Sequence, residues 1–321
     1  MTISGSSAMR ITRRAALFGL AAIAGLGPVQ AFAGVRVRLS GRAFGTTWSV
    51  IARDPGEPQV LVEKIRAMLA GIDAEMSPFR PDSALTRFNT DTPGLRVSGD
   101  FTTVARAALD MALISDGAFD PTVGPAVARY GFGPIRGRAG SSKGNWRRIA
   151  CGDGRLSRQG SVTLDLCGIA KGFAVDRLAE LVGAASADFI VEIGGEIRAQ
   201  GAWPVGIADP DKGGVHSRIR LGSAAVATSG DAVNRYDIGG RRYSHTIDPA
   251  TGEPVPGDIA SVSVIAESAM RADALATALL VMGEERGLAF ADSQGVGVLY
   301  LIRDNGALRP GFNAGFAAHL I

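Results

Sequence analysis

Four short stretches place reactive or ligating side chains where strands or loops meet helix starts. In Leu164-Asp165-Leu166-Cys167-Gly168-Ile169-Ala170-Lys171-Gly172 an aspartate closes an apolar strand, a glycine permits close backbone approach, and a lysine stands in the first helical turn. Such a junction offers free N–H groups and a positive charge to an anion such as a pyrophosphate, while the carboxylate can accept from a base or a ribose. A lysine in a first turn opposes the helix dipole and so needs a reason; a plain N-terminal turn with a surface lysine is the alternative. In Ala272-Asp273-Ala274-Leu275-Ala276-Thr277-Ala278 the aspartate and threonine share one helical face among alanines and leucines. A carboxylate and a hydroxyl without a basic partner suit a hard cation, magnesium more readily than calcium. A helix cap plus a threonine bonded back to its own backbone is the plainer reading.

The third stretch, Tyr243-Ser244-His245-Thr246-Ile247-Asp248-Pro249-Ala250-Thr251-Gly252, sets a histidine near a strand end before an Asp-Pro turn. His245 there suits a general base near neutral pH, or a turn histidine bonded to Asp248; His216 and His319 have less structured settings. The fourth comprises the turns Gly194-Gly195-Glu196 and Thr228-Ser229-Gly230-Asp231, which bring backbone close to a ligand or merely close hairpins. The chain holds no GxxxxGK[ST], no GxGxxG after a strand, no HExxH and no GxSxG, which removes the P-loop, dinucleotide-fold, zinc-protease and serine-hydrolase readings.

These residues need elements to position them. Alternating Val, Thr and aromatic residues predict strands over 35–39 and 46–52 around a Gly41/Gly45 turn. Apolar spacings of three and four predict helices over 59–72, 102–115, 169–182 and 270–283. Further strands are expected at 162–166, 189–193, 204–208, 217–221, 224–228, 234–238, 241–247, 259–265 and 295–302, with 73–89 and 117–125 as loops. Residues 131–160, holding eight glycines and seven Lys/Arg, read as a long surface excursion with a solvated charge run. Strands arriving in hairpin-like pairs without steady βαβ alternation indicate an α+β fold.

The chain has 321 residues, 34 Lys+Arg against 31 Asp+Glu, and 43 glycines. Arg10, Arg13 and Arg14 account for the formal charge of +3, so residues 34–321 carry no net bias toward nucleic acid. Glycine is nearly twice its ordinary share of about 7% but has no collagen period, so many tight turns are expected. Cys151 and Cys167 fit no CxxC or zinc spacing and read as packing thiols. Paired arginines at 13–14, an apolar run from Ala15 to Leu26 and the small-residue site Ala31-Phe32-Ala33 have the layout of a secretory signal. The run falls short of the roughly twenty residues needed to span a bilayer. Its weak hydrophobicity and arginine pair point to twin-arginine export. The expected product is cleaved near Ala33, released soluble into the periplasm, with the twin-arginine translocase as an export partner and residues 34–321 as the mature domain.

Taken in order, eight segments resemble the ApbE family, the FAD:protein FMN transferases: Gly45-Thr46-Thr47-Trp48, the 76–89 loop, 117–124, 165–172, 193–195, 227–231, 245–254 and 272–279. The resemblance implies a two-layer α+β architecture of the T-fold type, mostly antiparallel sheets with helices packed on one face. It also implies FAD as flavin donor, a magnesium ion, and transfer of FMN to a threonine of an acceptor flavoprotein with release of AMP. Carried over by position, flavin and adenine contacts fall on Phe44, Phe79, Phe119, Asp120, Pro121, Asp165, Lys171 and Ile247. Metal ligands fall on Asp273, Thr277 and the carbonyls of Gly168 and Ala276, and His245 matches the family's proposed base. Phe44 replaces a usual methionine, Phe79 a Tyr or Trp, and Cys167 a Gly or Ser, which sets a thiol beside the expected diphosphate. Twin-arginine export without a lipid anchor is similar to ApbE-type accessory proteins of nitrous-oxide respiration, whose acceptor would be a membrane flavoprotein. In the mechanism this implies, Lys171 and a magnesium on Asp273 and Thr277 offset developing charge while His245 takes the threonine proton. A periplasmic FAD diphosphatase and a non-catalytic flavin carrier are the rival readings.

Overall fold

A computed structural model describes residues 35–90, 94–137, 140, 142–232, 235–239 and 241–321, the last range without the Arg241 side chain. The export signal read at residues 1–33 lies outside the described residues.

The alternating sequences build an eight-stranded antiparallel sheet whose spatial order follows the chain: β1 (Arg36–Ala43), β2 (Thr46–Arg53), β3 (Phe189–Ile193), β4 (Glu196–Gln200), β5 (Ala225–Gly230), β6 (Ile259–Ala266), β7 (Gly297–Asp304) and β8 (Ala307–Phe312). Successive side chains point to opposite faces, and the two faces bury separate cores. Val191, Ala225, Ala227, Val262, Val264 and Val298 join the core under the helices. Ile190, Ile197, Val226, Ile265 and Leu299 join a second core covered by the hairpin Trp203–Ala208/Val215–Leu221. The helices α1 (Pro58–Met76), α2 (Ala84–Thr90), α3 (Gly99–Ile114), α4 (Gly124–Arg129), α5 (Ala170–Gly183), α6 (Ala269–Met282) and α7 (Glu284–Ser293) follow. Apart from Ala112, the buried apolar side chains of α1, α2, α3, α5 and α6 belong to the first core, so the helical layer lies on one face of the sheet, as an α+β fold requires.

Some expectations are corrected. Residues 162–166 form no ladder strand. They are apolar because Val162, Leu164 and Leu166 are buried, and the Asn89 amide stands in for a neighbouring strand, donating to the Leu164 carbonyl and accepting its N–H, both at 2.8 Å. Residues 73–89 are loop only in the middle. The first helix runs on to Met76, and α2 starts at Ala84, where the Ser83 hydroxyl accepts the Thr86 N–H at 3.0 Å. The 131–160 excursion is also more than surface: Ile149–Gly152 and Arg155–Arg158 pair with Gly94–Arg96 in a small sheet, burying Trp146, Ile149 and Leu156.

Candidate active site

Two helix starts meet beneath the middle of the large sheet. The closest approach is at Gly172, where a Cβ would stand 2.3 Å from the Ala269 carbonyl oxygen. Asp176 of α5 fixes the register by capping α6: its two oxygens accept the Ala269 and Met270 N–H groups at 2.9 Å, and Arg198 pairs with it at 2.6 Å. Asp273, one turn into α6, is thereby brought against the start of α5, where its Oδ2 accepts the Gly172 N–H at 3.0 Å. Thr277 follows a turn later, and its hydroxyl lies 3.2 Å from that of Ser229 at the end of β5.

The segment before α5 closes this corner. A Cβ on Gly168 would come within 3.1 Å of Thr277 Oγ1 and 3.2 Å of the Phe119 ring, so glycine is what allows backbone and threonine to share the space. Asp165 donates its N–H to the Pro121 carbonyl at 2.7 Å, tying the aspartate to the 119–121 loop. In that loop Phe119 is buried and donates its N–H to Ser115 Oγ at 3.1 Å, while Asp120 accepts the Thr122 N–H and hydroxyl at 2.8 and 2.5 Å. Ala276, between Asp273 and Thr277, is buried inside α6.

Lys171 projects from the first turn of α5 to the tight β3–β4 turn, where it pairs with Glu196. That turn needs two left-handed residues, supplied by Gly194 at φ 64° and Gly195 at φ 111°. It also touches the start of β2, just after the β1–β2 turn: Gly194 donates its N–H to the Thr47 carbonyl at 3.1 Å. Phe44 sits in the β1–β2 turn itself, half-buried, with a left-handed φ of 51°.

The electrostatics follow from burying several carboxylates around one ammonium. Burial pushes the Asp273 carboxyl up to about 7 against the pull of Lys171, and Glu196 adds to the rise. Burial also raises Glu196 and Glu192, again opposed by Lys171. For Lys171 burial works the other way, but Glu196 and Asp273 outweigh it and hold the side chain charged. Burial carries Asp120 to about 6 despite its bonds from Thr122, and raises Asp165 against the Cys167 N–H that it accepts at 2.9 Å.

The structure therefore gathers Phe119, Asp120, Pro121, Asp165, Gly168, Lys171, Asp273, Ala276 and Thr277 at one corner, with Phe44 at the adjoining turn. Ile247 is buried in a small hairpin, Ile247–Asp248 with Glu253–Pro254, which reaches the corner through the Ser142 N–H bonded to the Pro249 carbonyl at 2.9 Å. His245 precedes that hairpin, half-buried, its ring edge-on to Phe132 at 6.3 Å. Phe79 stands apart, 70% exposed between α1 and α2, and none of the contacts joining the others includes it. Cys151 and Cys167 are free thiols; Cys151 packs on the core, but Cys167 is exposed beside the site rather than a packing residue.

Sequence reasoning missed Asn89, Asp176 and Glu192, and treated Glu196 only as part of a turn. The available signal for Glu192 and Glu196 was a pair of acids on either side of the Gly194–Gly195 turn, next to Ile193 and Ile197.

The oxygen-only donors fit a hard cation. Thr277 faces Gly168 across a space that a Cβ would fill, and Asp273 stands one turn earlier on the same helix, against the Gly172 N–H. No three His, Cys, Asp or Glu side chains gather as ligands among the described residues. A site with one carboxylate that leaves positions for substrate phosphates suits Mg²⁺ better than Ca²⁺.

Comparison with known proteins gives a consistent result. The sequence profile of the ApbE family matches residues 44–300. The chain is 36% identical to the FAD:protein FMN transferase of Vibrio cholerae serotype O1, covering 89% of this chain and 93% of that protein. It is 35% identical to the Haemophilus influenzae protein of the same name, covering 84% and 88%. Among solved structures, the flavin transferase ApbE from Vibrio cholerae superposes with a TM-score of 0.80 at 34% identity, covering 90% of this chain and all of that one. The Pseudomonas stutzeri flavinyl transferase ApbE, in its apo form, gives 0.80 at 30% identity, covering 91% and 98%.

Proposed function

The chain belongs to the ApbE family, and from that premise we propose that it moves FMN from FAD to a threonine side chain of an acceptor flavoprotein, releasing AMP. It is an FAD:protein FMN transferase; the magnesium dependence, the threonine and the AMP are the finer parts of our reading. The observation that supports them is the meeting of Lys171 and Asp273 at the start of α5, with Thr277 and Phe119 against Gly168 and Asp165 tied to the 119–121 loop.

Each residue has a task that follows from its place. Phe44 and Phe119 offer ring faces to a flat aromatic ligand. Asp165, Asp120 and Pro121 would line the side that holds a base or ribose, with Ile247 as apolar wall, while the exposed Phe79 ring would contribute only from outside this corner. Lys171 places a fixed positive charge where the diphosphate must lie, and such positioned charge carries most of the catalysis in phosphoryl transfer. Asp273, Thr277 and the carbonyls of Gly168 and Ala276 would hold Mg²⁺, which when bound neutralises charge on the phosphoryl oxygens. His245, half-buried just after Arg241–Ser244, would serve as the base for an incoming protein side chain. A threonine hydroxyl is too weak an acid to attack phosphorus unaided, and His245 would accept its proton.

The signal layout at residues 1–33 supports a periplasmic protein exported by the twin-arginine route. Its acceptor would lie on the same side of the membrane, and a membrane flavoprotein of nitrous-oxide respiration is the candidate we favour. The test of the site is His245→Ala. We expect it to bind FAD as the unaltered protein does, by flavin fluorescence titration, while acceptor labelling falls about a hundredfold or more. Equal loss of binding and transfer would assign His245 a structural role and overturn its part in the reaction.

A further inference from the structure

Most buried carboxylates of this protein have visible structural work. Asp176 caps α6 and pairs with Arg198. Asp231 ties Arg303 and Arg242 together at 2.7 and 3.2 Å, joining the ends of β5 and β7 to the hairpin Arg235–Ile238/Arg241–Ser244. Glu196 is different. Its side chain is only 4% exposed, its Oε1 meets Lys171, and its Oε2 has no hydrogen-bond partner among the described residues. It caps no helix and joins no strands beyond its own turn. A buried carboxylate bound to one lysine, with its second oxygen unmatched, is a costly arrangement that removal of the ammonium would make worse.

Lys171 is the less buried partner, its side chain 38% exposed, so the lysine leans from the cleft onto a fixed acidic anchor. The anchor is rigid because Glu196 follows the Gly194–Gly195 turn and opens β4 within the antiparallel β3–β4 pair. Neighbouring Glu192 is occupied elsewhere, accepting the Gly195 N–H at 2.9 Å and the Ser49 hydroxyl at 3.3 Å.

We propose that Glu196 is a positioning residue for transfer, whose function is to hold the Lys171 ammonium at a fixed point facing the Asp273–Thr277 corner. This inference rests on the reading of Lys171 as the group that meets the FAD diphosphate. Misplacing a catalytic group by about 1 Å can cost on the order of a hundredfold in rate, whereas an ammonium that stays charged near the diphosphate still contributes to ground-state binding. Loss of the anchor should therefore appear in kcat more than in KM.

The experiment is a double-mutant cycle of Glu196→Gln and Lys171→Met in the full chain, read as kcat and KM for FAD and as FAD affinity by fluorescence. Glu196→Gln keeps the side chain's shape and is expected to lower kcat about tenfold or more with KM for FAD within about threefold. Adding Glu196→Gln to Lys171→Met is expected to cause no further loss beyond about twofold, because the carboxylate acts only through the lysine. Glu196→Asp, which keeps the charge but shortens the reach, should recover part of the kcat lost in Glu196→Gln. It provides the same comparison should the glutamine variant fold poorly. Additive losses in the double variant, or a Glu196→Gln enzyme with unchanged kcat beside an inactive Lys171→Met, would overturn the positioning role alone. A fully active Lys171→Met would overturn the reading of Lys171 on which it rests.

Discussion

The contact at Gly172 gives a quantitative expectation that joins fold to site. In Gly172→Ala the new Cβ has backbone on every near side: 2.3 Å from the Ala269 oxygen, 2.6 Å from its carbonyl carbon and 2.7 Å from the Met270 Cα. No side chain can swing away, so α5 and α6 must separate at their starts. Overpacking of this kind costs about 1–3 kcal/mol. Separation also stretches the bond from the Gly172 N–H to Asp273, and a hydrogen bond to a charged group contributes about 1.5–3 kcal/mol. Alanine returns up to about 1 kcal/mol in helix propensity. The balance is a loss of about 3 kcal/mol, or roughly 5 °C in Tm for a domain of this size. Thermal unfolding followed by circular dichroism measures it directly. Because the same shift moves Asp273 relative to Gly168 and Thr277, transfer activity of the variant at 20 °C, where it stays folded, should also fall by an order of magnitude or more. A Tm within 2 °C of the unaltered protein would refute the reasoning, since the helices would then have slack that the structure denies.

Two further outcomes test other parts of the structure. Asn89→Ala leaves the Leu164 N–H and carbonyl without their amide partner and should lower stability by about 2–4 kcal/mol in urea unfolding; no change would mean that the 162–166 segment is held by burial alone. Asp120, raised to about 6 by burial, binds a proton in the folded state over a range where the unfolded chain has released it. Its contribution to stability therefore falls as pH rises from about 4 to about 6, by roughly 3 kcal/mol at most. Asp120→Asn should remove that portion of the slope in chemical unfolding series, and an unchanged slope would contradict the assignment.

Much of the fold was legible because its strongest signals are periodic. Alternating strands such as Phe189–Ile193 and three-four spaced helices such as α5 fall within a residue or two of expectation. What failed was decided by partners far along the chain. Leu164 looks like a strand residue, yet its hydrogen-bond partner is a side chain 75 positions away. The small sheet inside 131–160 depends on Gly94–Arg96, which no local pattern announces. The seven residues of α2 are too few for periodicity to register. Of the residues with distinctive chemistry named from local setting, Asp165, Lys171, Asp273 and Thr277 come together at one corner, whereas His245 lies beside Phe132 before the neighbouring hairpin. The groups that steady that corner, Asp176 on α6 and Glu196 on Lys171, could not be named that way, because their roles exist only once distant segments meet.

The central claim is that this corner transfers FMN to a protein side chain rather than to water. The most direct measurement incubates the protein with FAD, Mg²⁺ and an acceptor flavoprotein domain, and quantifies AMP against covalently bound flavin on the acceptor. One AMP is expected per flavin attached, with the label mapping to a threonine and both products lost when Mg²⁺ is chelated. Release of AMP and free FMN with no flavin on the acceptor would contradict it.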